Sequence, residues 1–269
     1  MSSTTPAFLP TDREHNPLPL LGPRLDALRR WVRPEWRIAD IGTDHGLLPL
    51  HLLAQGHPQT VIACDKNPGP IALAQANHQL YLPEAPLQIR RGDGLSTLQD
   101  GEVDAVILAG MGRNTIERLL SSRDLHKMGL RYALLQSNTQ EELLRRTLLQ
   151  WGWRLLDESL VEDQHLFYLC HLVEITDASP LSSALPPERW LFSHALLQHP
   201  PALLKRFFAH KCSWLEKQCA LKPHDPPLEK GWLPPHAYQH ALLEHIEHIE
   251  HIEQSQHIEQ SQHIDFKKI

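Results

Sequence analysis

Residues 40–46 read Asp-Ile-Gly-Thr-Asp-His-Gly, a short glycine-opened loop with two carboxylates. A glycine between a strand and a helix lets the backbone approach a ligand closely, and the helix that follows offers unsatisfied N–H groups. Asp40, Gly42, Thr43 and His45 are therefore candidates for holding a nucleotide-type ligand. The dinucleotide fingerprint is G-x-G-x-x-G, whereas here Asp44 stands where the second glycine belongs. A carboxylate at that point repels a pyrophosphate and suits a ligand bearing ammonium and sulfonium charges. The competing reading is that Asp44 caps the next helix and that His45 bonds only to backbone.

S-adenosylmethionine carries both of those charges, so it is the expected ligand in preference to NAD. Asp65 lies about 20 residues beyond the loop, where an acidic group can accept both hydroxyls of a ribose. Its alternative is a surface aspartate paired with Lys66. Gly92-Asp93-Gly94 gives a third carboxylate, placed between glycines so that it can reach the exocyclic amine of an adenine; alone it reads equally as an Asp-Gly turn. All three acidic points fall at the ends of successive β-rich runs, which in an alternating α/β chain share one edge of a sheet.

The elements that bring them together are legible from periodicity. Residues 20–32 place Leu21, Leu25, Leu28 and Val32 at helical spacing, with Arg24, Arg29 and Arg30 on the other face, and Pro34 stops the helix. Strands are expected at 37–41, 60–64, 87–91, 103–108 and 131–136, with helices at 70–82, 114–120 and 139–150 between them. Residues 153–160 and 165–174 have no helix between them and read as an antiparallel pair. The expected fold class is α/β, a mostly parallel Rossmann-like sheet with a terminal antiparallel hairpin.

The expected organisation is a leader (1–17), a ligand-binding domain (18–176), a Pro- and Ser-rich linker (177–187), a small helical C-terminal domain (188–244, with helices at 189–197 and 202–221) and a low-complexity tail (245–269). In the tail His-Ile-Glu recurs at a period that drifts around a helix, which suggests disorder or a frayed helix without a metal function. Net charge is −6, against a generally basic surface, yet residues 181–243 hold seven Lys and Arg against four Asp and Glu. No stretch has the length of a membrane span or a signal peptide, and the four cysteines form no CxxC pair, so the expectation is a cytoplasmic protein without disulfides or metal.

Taken together, Arg24-Leu25, ADIGTDHGLLP (39–49), Gly69-Pro70, RGDGL (91–95), LAGMG (108–112), LQSN (135–138) and a closing hairpin with Glu162, Asp163 and Tyr168 resemble the bacterial tRNA (adenine-22-N1)-methyltransferase family. The likeness extends over about residues 18–220 and departs from the family pattern at Arg113, Ser137 and Gly46-Leu47, where glycine, proline and Ala-Tyr are usual. The resemblance implies a class I methyltransferase fold using S-adenosylmethionine on tRNA. It implies that Ala109, Gly110, Met111 and Gly112 line the cofactor and base pocket, alongside Gly92, Asp93 and Gly94, and that Asn138 reaches the target base.

Adenine N1 carries its own lone pair, so its methylation needs orientation and desolvation more than a strong base. Asp44 and Asn138 are the candidate catalytic residues, stabilising positive charge that accumulates on the base. A tRNA also requires cationic surface, for which Arg24, Arg29, Arg30, Arg33, Arg113, Lys205, Arg206 and Lys211 are the candidates, each of them otherwise a solvated surface charge. Two alternatives stay open: a methyltransferase of the same fold acting on another RNA or a small molecule, and a noncatalytic module that binds cofactor or RNA.

Overall fold

The computed structural model describes residues 16–56, 60–178, 193–199 and 201–221. Most of the leader, most of the linker, the 222–244 segment, the His-Ile-Glu tail and the first part of the helix expected at 189–197 lie outside the described residues. Seven strands form one sheet in the order β3-β2-β1-β4-β5-β7-β6. This is the expected Rossmann-like arrangement, closed by β6 (Arg154–Asp163) and β7 (Leu166–Glu174) as an antiparallel hairpin.

The central strands are continuous apolar runs because helices cover both faces of a parallel sheet. β1 (Arg37–Ile41) pairs in parallel with β2 (Thr60–Asp65) and with β4 (Ala105–Met111). Ala39, Ile62, Ala63 and the whole run Ala105 to Leu108 are fully buried. β3 (Leu87–Arg91) pairs with β2 alone and is only partly buried, as an edge strand with charged side chains should be. β5 (Tyr132–Ser137) is buried along its whole length.

The described residues pack into two compact units, one formed by those up to Gly110 together with 118–135, the other by 111–117 together with those from Gln136 onward. In the first, α1 (Pro23–Trp31) buries Leu28 and α2 (Leu47–Ala54) is apolar nearly all round, burying Leu48, Pro49, Leu50 and Leu52. α3 (Pro68–Tyr81) turns only Ile71 and Ala74 fully inward. β4 continues through Ala109, Gly110 and Met111, residues expected to be loop, with Gly110 at φ 72° beside its last residue. α4 (Arg113–Leu120) then follows directly.

In the second unit, Gln164 and His165 both have positive φ and join β6 to β7 in two residues, the backbone twist that suits a tight hairpin. α5 (Glu141–Gln150) begins two residues later than expected because Gln140 is left-handed (φ 55°). α6 (His194–Leu197) and α7 (Pro201–Leu221) supply the expected helical C-terminal segment. Inside this unit a buried carboxylate, Glu158 of β6, gathers three partners. Arg145 of α5 donates to it through Nε at 2.9 Å and also through Nη2, His171 Nε2 of β7 lies 2.9 Å from the same oxygen, and Ser193 donates its hydroxyl to the other. Arg145, Glu158 and His171 are essentially inaccessible to water. Burial alone would raise the Glu158 pKa, but Arg145 and the His171 and Ser193 contacts outweigh it and lower it to about 2.

Candidate functional site

The first unit places the predicted acidic residues at the carboxyl ends of β1, β2 and β3. Asp40 is buried in β1 and accepts a hydrogen bond from Thr43 Oγ1 at 2.7 Å. Burial pushes its pKa up to about 6, opposed by the Thr43 bond, increased by nearby Asp65 and reduced by Arg24. The loop after it is stitched to β2: the Gly42 and Thr43 N–H groups donate to the Cys64 carbonyl at 2.7 and 2.9 Å. Gly42, Asp44 and Gly46 are left-handed at alternate positions, with φ 78°, 52° and 70°. A non-glycine residue held at positive φ stores strain, and such residues concentrate where ligands are gripped.

Asp44 does not cap α2. Gly46 occupies the N-cap and no side chain bonds there, while the Asp44 carboxylate, two-thirds exposed, lies 3.1 Å from His45 Nε2. The His45 carbonyl accepts from Asn77 Nδ2 at 2.8 Å, which anchors the loop to α3 and leaves the ring half exposed. Asp65 is buried and accepts from the Asn67 N–H at 2.8 Å, so it shapes the start of α3. The Gly92 N–H donates to the Asp65 carbonyl at 3.0 Å, joining the second acidic point to the third. Asp93 is largely exposed, 3.5 Å from Arg118. Gly94 (φ 59°) is required there, since a Cβ would sit 2.2 Å from a Leu119 methyl. Arg24 leans over Gly110, where an added Cβ would lie 3.4 Å from its guanidinium.

The second unit holds the other candidates on two crossing loops. The Asn138 N–H donates to the Met111 carbonyl at 2.8 Å, and Thr139 Oγ1 accepts from the Arg113 N–H at 3.4 Å. Gly112 allows this approach, because a Cβ there would be 3.3 Å from Thr139 Oγ1. Ser137 accounts for its own departure from the family pattern. Its hydroxyl donates to the Thr139 carbonyl at 2.6 Å and accepts from the Thr139 N–H at 3.2 Å, fixing by hydrogen bonds a turn that a proline would fix by its ring. Fully buried Gln136 donates through Nε2 to Asn138 Oδ1 at 3.1 Å and to the Ser137 carbonyl at 2.7 Å, which orients the Asn138 amide. In the first unit, strands ending in carboxylate-bearing loops suit binding of a cationic cofactor; in the second, an oriented amide suits a hydrogen-bonding acceptor.

Residues 21–170 match the family described as a methyltransferase domain. The chain belongs to that family. Among its relatives is the Bacillus subtilis tRNA (adenine(22)-N(1))-methyltransferase, 28% identical over 157 residues, which cover 58% of this chain and 66% of the relative. The chain thus spans slightly less than two thirds of the length of that curated relative. The solved structure of Streptococcus pneumoniae Sp1610, a candidate tRNA (m1A22) methyltransferase, is 26% identical with a TM-score of 0.66, covering 87% of this chain and 99% of that one. M. capricolum TrmK, solved with S-adenosyl-homocysteine, shares the fold at 21% identity and a TM-score of 0.66, over 86% of this chain and 98% of that one.

The basic residues of the chain are differently engaged. Arg29 and Arg30 both pair with Asp26, at 2.6 and 2.7 Å, and Arg33 lies over the stacked rings of Trp36 and Tyr132. Arg113 pairs with Glu117 along α4 at 3.3 Å, and exposed Arg206 with Glu162 at 2.7 Å. Lys205 is half-buried on α7. Lys211 is set between Glu141 and Glu142, bonding the first and lying 2.9 Å from the second. Burial would lower its pKa, but the two carboxylates raise it above the ordinary lysine value, so the charge is permanent and locally neutralised. Among the described residues no group of three His, Cys, Asp or Glu is placed to hold a metal ion, and no helix is long and apolar enough to cross a membrane.

Sequence reasoning missed three features of the site: the Gln136 brace, the Ser137 turn and a cavity of about 570 Å³ reaching from Asn138 to Trp214. Of the cavity wall, the sequence singles out Asn138, Lys211 and Tyr168, the last through the hairpin pattern of the resembled family, and not the aromatic residues Phe167 and Trp214 or His210.

Proposed function

We propose that the chain is an S-adenosylmethionine-dependent methyltransferase acting on N1 of adenine 22 in tRNA, in the cytoplasm. The observation that supports it best is the carboxylate-rich loop at the end of β1, with Asp44 strained and exposed where a pyrophosphate-binding loop needs glycine. Buried Asp40 and the Asp65 and Asp93 carboxylates make the same edge acidic, which fits a cationic cofactor. When bound there, S-adenosylmethionine supplies an electrophilic methyl group. Asp65 accepts ribose hydroxyls, Asp93 takes the adenine amine, and Asp40 and Asp44 balance positive charge. Ala109 to Gly112 leave the cofactor and base room to approach. Asn138, braced by Gln136, orients the target adenine, whose N1 uses its own lone pair.

For the polyanionic substrate, Arg30 and Arg206 are the most exposed of the ion-paired candidates, with Arg24, Arg29, Arg33, Arg113 and Lys205 as further contacts; the two carboxylates around Lys211 favour a structural role for it. Incubation with labelled S-adenosylmethionine and a tRNA transcript is expected to label the RNA, at a rate that falls at least tenfold between about 50 and 200 mM salt. Label on a small molecule alone, or salt-insensitive transfer to RNA, would contradict the reading.

Asp40 gives the cofactor site a pH dependence. Below about pH 6 it holds a proton and loses its attraction for the cofactor's positive charges. Affinity for S-adenosylmethionine, followed by calorimetry, is expected to be level above pH 6 and to weaken as pH falls through it, and Asp40→Asn removes the step. Stability runs the other way in the ligand-free chain. A carboxyl whose folded pKa is raised contributes most below its ordinary 3.8, and that contribution is lost as pH rises through 6.

A further inference from the structure

The cavity in the second unit is walled by Asn138 and its loop, by Phe167 and Tyr168 of β7, and by His210 and Trp214 of α7. It combines ring faces with an amide edge. Phe167 stands 5.5 Å from the His210 ring, tilted against it, and 5.8 Å from Phe207, while Trp214 keeps 39% of its surface exposed although large and aromatic. Gln140, left-handed at φ 55°, is held in a strained conformation at the cavity's edge. A phosphate would call for an uncommitted cation, but Lys211 in the same wall is already held by Glu141 and Glu142. The lining therefore favours a neutral, flat ligand with a π face and a hydrogen-bonding edge, the description of an unpaired nucleobase.

We propose that this cavity is a stacking site for one unpaired base of the RNA substrate, adjacent to the adenine that is methylated. The proposal rests on the RNA methyltransferase reading. Asn138 is assigned to the target base, and Thr139 and Gln140, the next residues of the same chain segment, continue into the cavity and meet the neighbouring nucleotide. Trp214 offers the ring face and Asn138 marks the junction between the two bases.

Two variants test it. Trp214→Ala removes the ring and Trp214→Phe keeps one, and neither empties the core because Trp214 is partly exposed. With a tRNA transcript, Trp214→Ala is expected to raise KM about tenfold, the range of one lost base-stacking contact, while kcat and S-adenosylmethionine affinity hold and Trp214→Phe stays within about threefold of wild type. A single-stranded adenine-containing oligoribonucleotide is expected to quench a tryptophan emission component that Trp214→Phe lacks. Unchanged KM in Trp214→Ala, a fall in kcat alone, or quenching that persists in Trp214→Phe would overturn the site. Absence of methyl transfer by the wild-type chain would instead remove the functional reading, and the quenching measurement would still report on stacking.

Discussion

Replacing Asn138 with alanine is expected to lower the turnover of tRNA methylation about 100-fold, the usual consequence of losing one group aimed at charge that develops in the transition state. The fold should survive. The turn around Asn138 is held by its backbone bond to Met111 and by the Ser137 hydroxyl, neither of which needs the Asn138 side chain. Asp44 needs a different substitution. Alanine would remove the carboxylate and also the tolerance for φ 52°, mixing a loop effect with a charge effect. Asparagine accepts the left-handed backbone and removes only the charge, so Asp44→Asn is expected to reduce kcat/KM by a similar factor with unchanged thermal stability. Full activity in both variants, measured by labelled methyl transfer, would remove these residues from the chemistry.

Much of this site could be read before the fold was known because its residues are local. Asp40 to Gly46 and Gly92 to Gly94 are contiguous strings, and the alternation of strands and helices already requires them to share a sheet edge. What could not be read depends on partners distant in sequence. Phe167 and Tyr168 meet His210 and Trp214 only because β7 and α7 wall the same cavity, and no spacing rule links them. The bounds of α2 were not apparent for another reason: a helix apolar nearly all round shows no 3.6-residue stripe. The extension of β4 through Met111 was hidden by Gly110 and Gly112, which read as loop, although the strand runs on past the left-handed Gly110. Ser137 looked like a departure from pattern until its hydroxyl was seen bonding across the turn.

The second large effect concerns stability and has no local signature either. Glu158→Ala is expected to destabilise the chain by about 3–5 kcal/mol in urea unfolding, because it removes the carboxylate that balances the Arg145 guanidinium in a site with almost no access to water. Ser193→Ala, which removes one neutral donor to the same carboxylate, should cost only about 1 kcal/mol. Replacing Arg145 and Glu158 together by apolar residues of similar volume should recover most of the loss, since the penalty comes from an unbalanced charge and not from the absence of the pair. The pH dependence follows from the lowered pKa. A carboxyl that titrates near 2 in the folded chain stabilises it fully above its ordinary 4.5 and progressively less as pH falls through 2. A loss below about 1 kcal/mol in Glu158→Ala would mean that the four side chains are neighbours without being coupled.

The identity of the methylated atom is the central claim. A tRNA transcript treated with the protein and S-adenosylmethionine, then digested and analysed by nucleoside and fragment mass spectrometry, is expected to contain N1-methyladenosine at position 22. A transcript with guanine at that position should gain no methyl group. A methyl group elsewhere in the RNA, or cofactor binding without any transfer, would contradict the account.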